Sequence, residues 1–358
     1  MTLVSARHGA APDEVALELP REWTGRAVTP MTADTAFNGF VSTHVVFALE
    51  RLGVFAHLAD AGSLDAARFC AEREIDETVF RALVGAAESF GHLRTAGGRV
   101  ELTDEGEEVL RQIGFFTWAV GGYRDVFAGA SAIAAGRRVF GVDVMRDEAM
   151  VALGSAQVDT ALMRHIFDAE IARVDFSTLA DLGSGISQRL CRLVRDRPGT
   201  RGIGVDISTA ATELARGTVA EYGLEGRVEP ICADVRQIVS GILRLERAAE
   251  VDTVMSFMFL HDLIADPATR DGVIPSLREA FPNARNFLLA DTNVRPRESE
   301  GSTLPMFSSA FELAHALMGV PLHARESYEQ LFVDAGLRVR RTVPFGAPHT
   351  YLFVLEAS

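Results

Sequence analysis

An α/β fold is predicted for the greater part of this chain, an open sheet with crossover helices preceded by a smaller, mostly helical module. Three observations predict it. From residue 176 onward, strand-like apolar runs alternate with helical periodicity. At 178–185 one such run enters a glycine-rich turn, and the next strand, 202–205, ends on Asp206. Before residue 176 the periodicity is helical, apart from one short hairpin signal.

The 358 residues suggest two domains, and a composition of 48% hydrophobic and 23% charged residues supports ample core. The net charge of -14 argues against a surface that tracks phosphates, so no nucleic-acid partner is expected. Cys70, Cys191 and Cys232 are too few for a disulfide framework and point to a reducing compartment. Met1 to Ala10 lacks an apolar signal region, and no stretch reads as a membrane span. The expectation is a cytoplasmic enzyme without a membrane partner.

Residues 1–34 carry Pro12, Pro20 and Pro30 and read as an irregular N-terminal arm. Phe37, Phe40, Val41, Val45, Val46, Leu49 and Leu52 then recur at helical spacing, a stripe richer than one core face needs. Helical patterns follow at 64–72 and 77–90. Residues 92–95 and 99–102 flank Gly97 and Gly98 as a hairpin, and Thr103 caps a short helix. Together 35–112 describe a winged-helix-like unit. Such a unit serves either dimerisation or DNA binding, and its few basic residues favour a homodimer. Residues 113–175 read as a helical connector contributing to the substrate pocket, broken at Gly121, Gly122 and Gly136.

The catalytic domain is assigned to 176–358. Its strand candidates are 178–182, 201–205, 227–232, 251–257, 286–290, 337–343 and 350–355. Pro344, Gly346 and Pro348 separate the last pair, which predicts a terminal hairpin and an antiparallel edge strand.

Strand, glycine turn, helix, strand and acid together describe a nucleotide-type cofactor site. Glycines let the backbone approach the ligand, and the acid reaches ribose hydroxyls. A dinucleotide site would carry a third glycine at 188, where this chain has Gln188, while Asp181 precedes the turn. This combination resembles the first motif of class I S-adenosylmethionine (SAM) methyltransferases. The resemblance implies a Rossmann-like sheet with an antiparallel last strand and S-adenosyl-L-methionine as cofactor. It assigns Asp181, Gly183 and Gly185 to the turn, Asp206 to ribose, Ile207 and Val235 to the adenine ring and Asp234 to its amino group. Ser256, on the fourth strand, is grouped with them. From the residues alone, Asp206 and Asp234 also read as helix caps.

The fourth strand leads into Phe259-Leu260-His261-Asp262, at the sheet edge where open α/β folds bind substrates. His261 reads as a structural histidine, a general base with Asp262 fixing its tautomer, or a metal ligand alongside Asp262. The chain resembles small-molecule O-methyltransferases over almost its full length. That family joins a winged-helix dimerisation domain to the SAM domain and has a His-Asp pair here as base and neighbour. Plant members add a glutamate that orients the base; residues 318–323 here contain none, which weighs against simple O-methylation.

Blocks at 277–291, 304–307 and 311–320 are similar to those of metal-dependent α-keto acid C-methyltransferases of the phenylpyruvate type. The similarity implies one divalent or trivalent metal ion, iron or zinc, held by His261, Asp262 and His315, leaving positions open for a bidentate 2-keto acid substrate. By periodicity alone His315 shares a helix face with Phe311, Ala314 and Met318 and reads as a core residue. The implied reaction is methylation of the β-carbon of a 2-oxo acid, supplying a β-methyl amino acid precursor in secondary metabolism. The base stays open among solvent at the metal, another residue around it, and Asp291 at the end of strand five. The resemblance matches Arg146-Asp147 to an Arg-Asp pair beside the substrate, which implies Arg146 as a clamp on the substrate carboxylate; by itself Arg146 also reads as half of a surface ion pair. Tyr123, just after Gly121 and Gly122, is a further candidate for contact with the substrate. The alternatives are a metal-free O-methyltransferase with His261 as base and a ligand-sensing, DNA-binding regulator.

Overall fold

The structure is a computed structural model that describes residues 26–27, 31–295, 303–304 and 306–357. Most of the expected arm at 1–34, and Pro305, lie outside the described residues. A two-residue strand β1 (Arg26–Ala27) pairs antiparallel with the segment Thr303–Leu304. Helices α1 (Ala33–Arg51), α2 (Val54–Ala61), α3 (Ala66–Arg73) and α4 (Glu77–Ser89) then lead to the hairpin β2 (Leu93–Ala96) and β3 (Arg99–Leu102), and to α5 (Asp104–Arg111). They enclose a core of their own around Val46, Leu49, Phe55, Phe69 and Phe80. Side chains of Asp65, Asp76 and Thr103 accept from the first-turn amides of α3, α4 and α5, which sets where each helix starts.

The connector comprises α6 (Ile113–Phe116), α7 (Arg124–Ala128), α8 (Ala130–Ala134), α9 (Glu148–Val158) and α10 (Arg164–Ile171). Two π-helical turns interrupt it, at Thr117–Gly122 and Asp159–Met163. Such turns concentrate at functional sites because an extra residue re-aims the neighbouring side chains.

The remaining elements are β4 (Thr178–Leu182), α11 (Gln188–Asp196), β5 (Arg201–Asp206), α12 (Thr209–Glu221), β6 (Val228–Cys232), α13 (Val235–Val239), β7 (Thr253–Phe257), α14 (Leu260–Leu263), α15 (Arg270–Ala280), β8 (Asn286–Thr292), β9 (Thr303–Leu304), α16 (Ser308–Met318), α17 (Arg325–Asp334), β10 (Leu337–Pro344) and β11 (Thr350–Ala357). All but the two-residue β9 join one sheet or flank it. The sheet order is β10-β11-β8-β7-β4-β5-β6, with β8 through β6 parallel and β11 antiparallel to both neighbours. Side-chain alternation divides its core: Ala180 and Leu182 face one apolar layer, Leu179 the other.

One expectation is corrected. The antiparallel strand is not at the edge, because β11 inserts between β8 and β10. Tyr351, Leu352, Phe353 and Leu355 are buried, so this strand needs cover on both sides. β10 carries exposed Arg338, Arg340 and Arg341 and suits the solvent edge, where charge discourages pairing with other chains. Among the described residues no single helix is long and apolar enough to cross a membrane. Strand order reverses between β4 and β7, which opens a crevice beyond their carboxyl ends.

Candidate active site

A cavity of about 870 Å³ occupies that crevice, walled by the glycine turn, the connector and α16. Gly183 and Gly185 lie on it with φ of 75° and 53°. A side chain at 183 would also meet Phe259 at 3.0 Å, so glycine is required twice over. The Asp206 carboxylate accepts from Gly185 N at 2.8 Å and Ser208 N at 2.9 Å, binding the turn to the end of β5. Burial raises its pKa against the pull of those two amides. Asp181 sits at the end of β4, 3% exposed, and burial pushes its pKa up to about 7 despite Arg189 nearby. Ile207 and Val235 line the same end of the cavity. Asp234 lines it too, while its Oδ1 accepts from Arg236 N at 2.9 Å as the cap of α13, so the two readings of this residue coexist.

At the other end stand His261, on α14, and His315, on α16, both almost fully buried. His261 Nδ1 donates to Asp291 Oδ1 at 2.7 Å, and its backbone amide donates to Asp291 Oδ2 at 2.7 Å. His315 Nδ1 donates to the Phe311 carbonyl at 2.7 Å. With both Nδ1 atoms committed as donors, the two Nε2 atoms face each other at 2.9 Å. Asp262 Oδ2 lies 3.7 Å from His261 Nε2. Burial opposes a charge on His261, but the carboxylates of Asp291 and Asp262 outweigh it and raise its pKa. Burial, with His261 beside it, drops His315 to about 2. His315 therefore presents a lone pair, and the contact needs a cation between the rings, either a proton on His261 or a metal ion. Among the described residues no group of three or more ligating side chains already stands in a metal-holding arrangement.

The wall above the histidines is aromatic. Trp118 packs on Tyr123 at 4.1 Å and edge-on to Phe307 at 5.0 Å, and Phe311 packs on His315 at 3.9 Å between ring centroids. Arg146 Nη1 donates to Tyr123 Oη at 3.2 Å. Asp147 instead caps α9, accepting from Met150 N at 3.0 Å, so no Arg146–Asp147 ion pair forms.

No family model matches the chain. It is 30% identical to the indolepyruvate C-methyltransferase of Streptomyces griseus over 327 residues, covering 89% of this chain and 93% of that one. It is 26% identical to the methyltransferase ungE' of Aspergillus campestris over 328 residues, or 88% and 93% of the two chains. The chain is a class I SAM-dependent small-molecule methyltransferase. Solved structures share its fold. Human N-acetylserotonin methyltransferase, in complex with SAM, covers 91% of this chain and 96% of its own at TM-score 0.63 and 18% identity. An O-methyltransferase family protein from Burkholderia thailandensis covers 92% and 99% at TM-score 0.59 and 16% identity.

Two residues expected in the site of this methyltransferase do not line the cavity. Ser256 does not line the cavity: its hydroxyl is buried and donates to the Leu182 carbonyl at 2.9 Å, stitching β7 to β4. Asp291, a candidate base, is fully buried behind His261 and is spent on fixing that ring. It fills the orienting role for which the sequence offered no glutamate. Two further features escaped the sequence reading. Met258 adopts φ 56° just after β7, where its sulfur accepts from Thr292 Oγ1 at 3.5 Å; a strained residue beside a site is a recurrent signature of function. The other is the Arg189–Asp159 ion pair, at 2.6 Å, whose residues both line the cavity.

Proposed function

We propose that this methyltransferase transfers the SAM methyl group to the β-carbon of a 2-oxo acid, assisted by a metal ion held by His261, Asp262 and His315. The observation that carries the reading is the pair of Nε2 atoms facing each other across 2.9 Å, each ring steered by an acceptor on its Nδ1. Metal-ligating histidines are oriented in this way, by a carboxylate or carbonyl on the other nitrogen. Two imidazole nitrogens and one carboxylate are a donor set that would suit iron or zinc. Asp262, partly open to the cavity, supplies the carboxylate. The Streptomyces relative's name, indolepyruvate C-methyltransferase, supports the substrate class.

In this reading the metal supplies Lewis acidity at the keto oxygen. The chain does the rest. Arg146, held by Tyr123, offers its remaining donors to the substrate carboxylate. Asp291 keeps the His261 proton on Nδ1 and its lone pair toward the cavity. Trp118, Phe307 and Phe311 exclude water and hold the substrate chain. Loss of a β-proton, taken up by solvent at the histidine end of the cavity, makes that carbon nucleophilic; it attacks the methyl carbon in line, and S-adenosylhomocysteine leaves with the sulfur electron pair. We further read the protein as a homodimer, and its three free cysteines support a reducing, cytoplasmic setting.

The His261–Asp291 pair also favours a second reading, a metal-free O-methyltransferase with His261 as base. Metal analysis of wild type and His315→Ala, joined to methyl transfer onto 2-oxo acids and phenols, separates them. The proposal expects about one metal per chain, its loss with His315→Ala at an unchanged SAM affinity, and a methylated 2-oxo acid. Metal-free wild type that methylates only a hydroxyl would refute it.

A further inference from the structure

Among the described residues three arginines line the cavity, and their surroundings differ. Arg236 lies at the mouth, 64% exposed and closed on Asp234. Arg146 is with Tyr123 at the histidine end. Arg189 rises from the first turn of α11, directly behind the glycine turn, with a side chain 11% exposed. Its Nε and Nη2 both donate to Asp159 Oδ1, at 3.1 and 2.6 Å, and Asp159 is itself 7% exposed. The guanidinium carbon sits 3.2 Å from the centroid of the Phe257 ring. Carboxylate and ring face together hold the guanidinium plane in one orientation. Nη1 has no partner among the described residues, so an oriented cationic donor is left available on a cavity wall.

The ligand is indicated by what else lines the cavity. Asp206 and Asp234 end β5 and β6, on one side of β4, and the histidines follow β7 and β8 on the other. A cofactor with its adenosine at β5 and β6 and its methyl group toward the histidines has its amino-acid tail at the end of β4. Asp181 and Arg189 stand there. The tail carries one carboxylate and one ammonium, and the wall offers one guanidinium and one buried carboxyl. We propose that Arg189, oriented by Asp159, binds the α-carboxylate of SAM. The inference rests on SAM dependence and is independent of the substrate and of the metal.

Calorimetry with two cofactor products tests it: S-adenosylhomocysteine, and its decarboxylated counterpart S-adenosyl-3-thiopropylamine, which keeps the amine. Wild type is expected to prefer the first by roughly 10- to 100-fold, the worth of a hydrogen bond between charged groups. Arg189→Met should reduce that ratio to within threefold while leaving affinity for the decarboxylated compound nearly unchanged. A merely structural arginine would weaken both compounds equally. Arg189→Lys keeps the charge opposite Asp159, guards against loss of the fold, and should reduce the ratio at least threefold. A wild-type ratio near one, or a folded Lys or Met variant with the wild-type ratio, would overturn the proposal.

Discussion

Asp206 illustrates how one side chain serves both fold and ligand. Its two oxygens accept from the glycine turn and from the start of α12, yet the residue lines the cavity and each oxygen keeps a further lone pair. Asp206→Ala is expected to weaken SAM binding by on the order of 1–3 kcal/mol, read by calorimetry. Unchanged affinity would remove this residue from the cofactor site. Asp181 makes a prediction of opposite character. Burial raises its folded pKa to about 7, whereas the unfolded chain ionises in the ordinary carboxylate range. Between those limits the native state keeps a proton that the unfolded state has lost. Its contribution therefore falls as pH rises from about 4 through 7 and levels off above. Asp181→Asn cannot ionise, so its ligand-free thermal midpoint should match wild type near pH 4 and exceed it at pH 8, by up to about 4 kcal/mol in stability. Parallel profiles would show that Asp181 stays charged in the fold.

Helix α1 turns two apolar faces outward from its axis. Val45, Val46 and Leu49 enter the N-terminal core, but Phe37 and Phe40 are 69% and 63% exposed. Burying one phenylalanine contributes about 1.5–3 kcal/mol, which makes this stripe costly to leave in water. Light scattering at micromolar concentration should report twice the chain mass, and Phe37→Glu with Phe40→Glu should return a monomer. A monomeric wild type would leave the stripe unexplained. The stripe was legible in the sequence for the same reason as the seven sheet strands and the cap at Thr103, all signals written within a dozen residues. Contacts between distant segments were not legible. Asp291 meets His261 across 30 positions, and His315 is aimed by a backbone carbonyl that no residue type announces. Nothing in the sequence singles out Asp159 and Arg189, because the π turn that carries Asp159 into the cavity leaves no mark in the apolar pattern. Ser256 was misjudged because a strand position alone does not say whether a hydroxyl turns to ligand or to the neighbouring strand.

At the scale of the whole molecule, the inserted position of β11 governs the site. Tyr351 stands opposite Asp291, and Thr350 Oγ1 meets Thr292 Oγ1 at 2.7 Å, so β11 fixes the strand end that orients His261. A chain ending at residue 344 should lose more than an edge. We expect it to give little folded protein by circular dichroism and no SAM binding; a folded, SAM-binding product would show that β8 holds its shape unaided. The same topology sets an order of events during synthesis. Strand β8 emerges from the ribosome well before residues 350–357 exist, and until they arrive its hydrogen-bonding edge is open. The half-sheet bearing the glycine turn can form early, whereas the histidine end waits for the last strand. A nascent methyltransferase of this kind gains its cofactor cradle before it gains its chemistry.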